Sequence, residues 1–337
     1  MNGIFTISLD FELHWGGFEK WHVSELSTLN SAPDMRPYFL NTRRTIPLML
    51  EAFQQADVHA TWATVGLLFA KDRKDLSELA PSELPGYTQP LLSPYNYMDD
   101  PGIGADEEED PFHYAASLIQ QIAATPGMEL ASHTFSHFYT CEPGQTTEQF
   151  RADLKAARKA GMRMGFDMRS LVLPRNQINP AYLTICREEG FDAVRVNPRE
   201  WFWEILPNKP VPLWHRLNRT ADAYLPLGVH KSYPLQTVNR IEGEPWLLPA
   251  SRFLRPYNPK HLFLNTLRLR RIKEEMSTAA KLGEVYHLWW HPHNFGEYPK
   301  ESMEGLREII KHFMVLRKEF GMQSLSMSEV VSRRESI

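Results

Sequence analysis

The sequence predicts an α/β fold: a distorted or incomplete parallel (β/α) barrel of about seven strands, carrying two long insertions. Three observations lead there. Short apolar runs alternate with helix-period segments along the chain, the pattern of strands joined by crossover helices. Ionisable residues gather just past the ends of four of those runs, where parallel barrels build their sites: Asp10 with Glu12, His133 with His137, Arg175, and His291 with His293. Neither a Gly-x-Gly-x-x-Gly turn nor a Gly-Lys-Ser/Thr phosphate loop follows the first run, which removes the usual nucleotide-binding forms of the alternative, an open doubly wound sheet.

Ile4 to Leu9 reads as the first strand, followed by a helix between Pro37 and Ala56 and a second strand in His59–Val65. Residues 72–110 break the alternation. Pro81, Pro85, Pro90, Pro94 and Pro101, with the acidic run Asp106–Asp110, predict an irregular surface insertion. A helix over Pro111–Ala124 leads to a strand at Met128–Ser132. Thr146 and Gln149 have capping-box spacing and open a helix that Gly161 can end. After a short strand at Leu171–Pro174, Asn179 offers an N-cap with Pro180 in the first helical position and Gly190 as the stop. Ala193–Val196 is the next strand. Residues 198–260 are rich in Pro and Trp without a clear period and predict a second elaboration. A helix over Leu262–Leu282, a strand at Val285–Trp290, a helix over Ser302–Phe320 and a short strand at Gln323–Met327 complete the pattern. No repeat or flexible linker divides the chain, so residues 1–337 are expected to form one catalytic barrel domain, with insertions at about 72–110 and 198–260.

Composition narrows the function. With 37 Lys and Arg against 41 Asp and Glu, the net charge of −4 argues against a nucleic-acid partner, for which a basic stripe is expected. The most basic stretch, Leu262–Lys273, alternates charged and apolar residues at helical spacing and reads as a solvated helix face. Cys141 and Cys186 form neither a disulfide framework nor a zinc-knuckle spacing. No run reaches the ~18 apolar residues of a membrane span, and Met1–Asp10 lacks a basic start and a long apolar stretch, so a cytoplasmic protein without an integral membrane segment is expected.

The chemistry-bearing residues are those at the strand ends. If the chain after Ser132 turns into a helix, His133 and His137 stack one turn apart and reach one cation. Two unrelated surface histidines would be the ordinary alternative. Asp10 and Glu12, two apart on an extended chain, share a face while Phe11 packs away from it, so one carboxylate can be a ligand and the other a base. His14 continues the alternation as a reserve ligand. Arg175 follows an apolar strand, where pairing with Asp10 would hold that carboxylate ionised. Of the late histidines, His291 is the one expected to enter the site; His287 reads as a hydrogen-bonded core residue, and His293 as lying outside direct contact.

These residues resemble the motifs of the polysaccharide deacetylase family, carbohydrate esterase family 4, with the NodB-homology fold. His133-Thr134-Phe135-Ser136-His137 matches its His-Ser/Thr-x-x-His metal motif, Ser8–Glu12 its acidic first strand, Pro174-Arg175 an arginine motif, and the region of His291 its late histidine. The likeness runs from the first strand to about residue 296, outside the two insertions. Two departures stand. Phe11 occupies the place of a second aspartate, which gives the ligand role to Glu12, and Pro174 precedes Arg175 instead of following the common spacing. The resemblance implies a divalent metal on Glu12, His133 and His137, zinc first, with cobalt, nickel or manganese as alternatives. It implies Asp10 as the base for a metal-activated water attacking an N-acetyl carbonyl, His291 as the acid for the departing amine, and Arg175 as the residue that orients Asp10. The implied partner is an N-acetylated sugar or oligosaccharide, and the cytoplasmic expectation favours a lipid-linked or nucleotide-linked precursor. Trp201, Trp203, Trp214, Trp246, Trp289 and Trp290 are candidates for stacking on sugar rings, although core packing is the commoner use of tryptophan. An allantoinase-like cyclic amidase and a catalytically silent glycan-binding barrel are the competing functions.

Overall fold

The computed structural model describes residues 2–21, 23, 34–204, 212–225 and 231–337. Among them, nine strands make one sheet: β1 (Ile4–Phe11), β2 (Ala60–Thr64), β3 (Met128–Ser132), β4 (Ser170–Val172), β5 (Ala193–Val196), β6 (Trp246–Pro249), β7 (Arg252–Phe253), β8 (Val285–Trp290) and β9 (Gln323–Ser324). Every pairing is parallel, in the order β6-β5-β4-β3-β2-β1-β8-β7, with β9 beside the start of β1. β6 and β7 stand at opposite ends of this path, yet only Ala250 and Ser251 separate them in the chain. The Ala250 N–H donates to the Val196 carbonyl and the Ser251 N–H to that of His287, so one stretch of chain bonds to β5 where it starts and to β8 where it ends. The sheet therefore curls round into a parallel barrel.

Parallel neighbours require long crossovers, and helices supply them. They are α1 (Arg36–Gln55), α2 (Arg73–Leu79), α3 (Pro94–Tyr97), α4 (Ala116–Ala124), α5 (Thr147–Arg163), α6 (Leu183–Glu188), α7 (Leu213–Asp222), α8 (Leu262–Leu282), α9 (Pro299–Phe320) and α10 (Met327–Glu335). None of the helices among the described residues is long and apolar enough to cross a membrane.

β1 shows how the pattern places a site. All eight of its residues are buried. Phe5, Ile7, Leu9 and Phe11 join the large core shared with the helices. Thr6, Ser8 and Asp10 take the opposite face, toward the barrel interior. In the row of Asp10, β2 presents Ala63 and β3 presents Ala131, small side chains that leave room across the barrel. Arg195 of β5 fills that room.

Several elements differ from the sequence reading. Residues 198–260 contribute β6 and β7, the strands that close the barrel, so only part of that segment lies outside it; residues 205–211 and 226–230 are not among those described. Residues 72–110 carry α2 and α3 among turns. Gly161 does not end its helix, which runs to Arg163; a Cβ there would press on the Met168 side chain at 2.8 Å and the Phe166 carbonyl at 3.0 Å, so the glycine serves close packing. The helix expected from Pro111 begins at Ala116. The last strand stops at Ser324 because Ser326 and Glu329 form a capping box that starts α10.

Candidate metal centre and active site

Glu12 stands one residue past β1, 4% exposed, and its Oε1 meets two imidazoles: His133 Nε2 at 2.9 Å and His137 Nε2 at 3.3 Å. These three residues offer ligand atoms within 4.8 Å of one another. Burial works against the Glu12 carboxylate, but the neighbouring His291, His133 and His137 together hold its pKa well below the usual value. A buried carboxylate whose side-chain partners among the described residues are all imidazoles has the donor chemistry of a zinc-type site, so the residues present fit a divalent cation. Binding through both Nε2 atoms places each imidazole proton on Nδ1, where His137 meets the Tyr139 hydroxyl at 3.1 Å.

The chain keeps Glu12 in place with a glycine. A Cβ on Gly16 would fall inside van der Waals contact of Glu12 Oε2. Gly16→Ala is therefore expected to push the carboxylate off the two histidines and to weaken zinc binding by about 10-fold or more while the fold persists. A chelator-competition titration beside a thermal melt checks this.

His133 and His137 do not meet on a helix. After β3 the chain runs as an irregular loop in which Thr134 and His137 both have positive φ, 61° and 55°. Each left-handed residue costs on the order of 1 kcal/mol or more, the β-branched threonine most. Side chains satisfy the loop's amides: Ser132 Oγ accepts from Thr134 N–H, Asp153 from Phe135 and Ser136, Thr134 Oγ1 from Phe138, and the Tyr87 hydroxyl from Tyr139. The loop replaces the helical spacing that the sequence suggested, and it brings the rings within 5.2 Å.

Asp10 is paired with Arg195, not with Arg175. Arg195, fully buried, donates from Nη1 to Oδ1 at 2.6 Å and from Nη2 to Oδ2 at 2.8 Å, and further to Ser8 Oγ and Asn176 Oδ1. Burial raises the Asp10 pKa, but Arg195, His133 and His291 outweigh it and hold the carboxyl below its ordinary value. The Trp289 ring lies against the guanidinium, 4.3 Å from its centre, and Ser8 passes a hydrogen bond on to His287. Burial, and then Arg195, press the His287 pKa down to about 3, so it is a neutral core residue. Arg175 has positive φ and turns the other way: its guanidinium pairs with Glu19, lies 3.5 Å from Glu142 and covers the Tyr139 ring. The carboxylates at the cleft rim hold it, while the layer containing Asp10 is already filled from β5.

His291 follows β8, and its Nε2 is 3.7 Å from both Asp10 Oδ2 and Glu12 Oε1, with 24% of the side chain exposed. His293 stacks on it at 4.9 Å and places Nδ1 3.9 Å from Glu12 Oε2. His14, the reserve ligand, faces away: Nε2 donates to the Trp21 carbonyl and Nδ1 meets His113, itself bound to Asp110, so this chain ties the first insertion to β1. Of the six candidate tryptophans, Trp246, Trp289 and Trp290 are buried and Trp203 is half-buried, whereas Trp201 and Trp214 are exposed around α7.

No protein-family model matches the sequence, and neither does any curated protein. Solved structures do. A protein of Mycobacterium smegmatis provisionally described as a polysaccharide deacetylase superposes with TM-score 0.60 at 13% identity, over 99% of this chain and 91% of its own. A probable polysaccharide deacetylase of Pseudomonas aeruginosa PAO1 gives 0.56 at 12%, over 98% and 90%. Puue allantoinase gives 0.54 at 11%, over 99% and 90%. The likeness is one of fold. It extends over nearly the whole chain, including the segment that supplies β6 and β7, and the same barrel carries both names, so the chemistry has to be argued from the site.

Proposed function

We propose that this chain is a metal-dependent hydrolase of carbon–nitrogen bonds that removes an N-acetyl group from an amino sugar in a glycan or glycan precursor. One observation carries the reading: Asp10 and His291 stand against the same carboxylate that gathers His133 and His137, so a ligand set, a base and an acid share one cleft. A divalent cation on Glu12, His133 and His137 supplies, when bound, a Lewis acid for the carbonyl oxygen and a more acidic water. Zinc suits two imidazoles and a carboxylate; cobalt, nickel and manganese are the alternatives.

The chain's own residues do the rest. Asp10, ionised throughout the neutral range because Arg195 holds it so, accepts the proton of the water that adds to the carbonyl carbon. His291, partly open to solvent, protonates the amine nitrogen as the C–N bond breaks, since an unprotonated amine is a poor leaving group. Acetate and a free amino sugar leave. Arg175 is assigned to the cleft rim beside His137, with Glu19 and Glu142.

The fold shared with an allantoinase favours one second reading, a cyclic amidase using the same groups on a ureide. Acetate release from N-acetylated amino sugars, with metal content measured on the same sample, is the test. Acetate release that chelation abolishes is the expected result. Ring opening of a ureide without acetate release would move the assignment to the amidase, and a protein with neither metal nor turnover would leave only a glycan-binding barrel.

A further inference from the structure

We propose that Asp153, in the middle of α5 and outside the cleft, is the positioning residue that holds His133 and His137 in ligand geometry; the inference rests on the metal-site reading above. Three donors converge on its carboxylate: Phe135 N–H to Oδ1 at 2.6 Å, Ser136 N–H to Oδ2 at 3.0 Å, and the Ser136 hydroxyl to Oδ2. Phe135 and Ser136 belong to the span between the two histidines. That span begins with Thr134 and ends with His137, both in the left-handed region, a conformation that persists only where surrounding contacts impose it. The loop's carbonyls are fixed as well, since Thr134 and Phe135 accept from the amides of Gly66 and Leu67.

The helix that delivers Asp153 is itself rigidly placed. Thr146 and Gln149 cap its start in both directions, and Phe150, Leu154 and Ala157 pack into the core on either side of the carboxylate. Asp153 is fully buried and has no cation among its hydrogen-bond partners in the described residues; burial raises its pKa to about 6 even against those three hydrogen bonds. A carboxylate kept in so unfavourable a place earns little for the fold, because a neutral side chain would avoid the desolvation cost. Two adjacent backbone amides, however, need two acceptor atoms. An asparagine offers one oxygen and turns an NH2 group toward the second amide.

Zinc affinity of the whole chain, measured by competition with a chromophoric chelator, tests this. Asp153→Asn is expected to bind zinc about 10- to 100-fold more weakly than the unaltered protein, with an altered cobalt absorption spectrum and a metal-free form that still folds cooperatively but melts lower, because one buried amide loses its acceptor. An Asp153→Asn protein that binds within about twofold of the unaltered chain, well short of the loss expected for a ligand-orienting partner, would overturn the inference and leave the metal site standing. An unaltered chain that takes up no zinc would overturn the metal-site reading and this inference with it. If Asp153→Asn does not fold, Ser136→Ala decides: it removes one of the three bonds, so affinity about threefold weaker supports the inference, and unchanged affinity overturns it.

Discussion

Asp10→Asn is expected to keep its metal and to lose about 10²- to 10⁴-fold in kcat, the usual worth of a positioned proton acceptor. The substitution preserves shape, and the amide oxygen can still accept one of the two Arg195 bonds, so the barrel layer formed with Ala63 and Ala131 stays filled. Glu12, His133 and His137 are untouched, and the distances of 2.9 and 3.3 Å among them do not depend on Asp10. What the asparagine lacks is the capacity to take a proton. Turnover and zinc content measured on one sample separate the outcomes: full metal with lost turnover supports the base, whereas retained turnover would pass that role to His291. Loss of both would mean that Asp10 acts on the ligand set instead, through its place beside His133.

This separation was legible in the sequence only in part. Seven of the strands stand out in the sequence, most of them as largely buried runs rich in apolar residues. The closing strands do not, since β6 and β7 lie in a Pro- and Trp-rich segment without a clear period and only two residues separate them, so neither reads as a run of its own. Asp10, Glu12, His133, His137 and His291 announce themselves by falling just past such runs. Arg195 was hidden by falling within one. Yet the sequence Ala193-Val194-Arg195-Val196 does contain the signal: an arginine at the small-residue phase of a buried strand needs a buried carboxylate, and only a strand across the barrel can bring one. Arg175 took its place in the sequence argument because its position after β4 looked right; a positive φ, which no periodicity reveals, turns it to the rim. The histidine loop is a similar case, since an i, i+4 spacing suggests a helix and the left-handed residues that replace it become intelligible only once Asp153 is seen beneath them.

Arg195→Leu is expected to be the most destabilising of these substitutions, by about 3–5 kcal/mol at neutral pH, because it strands a buried carboxylate instead of deleting a pair. Asp10→Asn combined with Arg195→Leu should recover much of that loss, a coupling that a double-mutant cycle measures directly. The pH dependence fixes the cause. In the intact chain the Asp10 pKa is depressed, so its contribution is fully present above the unfolded value of ~3.9 and is lost as pH falls through the folded value. Without Arg195 the largest influence, burial, is opposed only by His133 and His291, and the pKa moves above the unfolded value. The sign of the linkage then reverses: the lone carboxyl is tolerated below ~3.9, where it is protonated in both states, and costs stability as pH rises through its new pKa. The deficit of the variant against the intact chain should therefore be greater at pH ~7.5 than at pH ~4 in urea unfolding of the metal-free proteins, because only near the lower pH is the stranded carboxyl neutral in the folded state. Equal deficits at the two pH values would mean that the loss comes from packing of the guanidinium against Trp289 and not from the charge it neutralises.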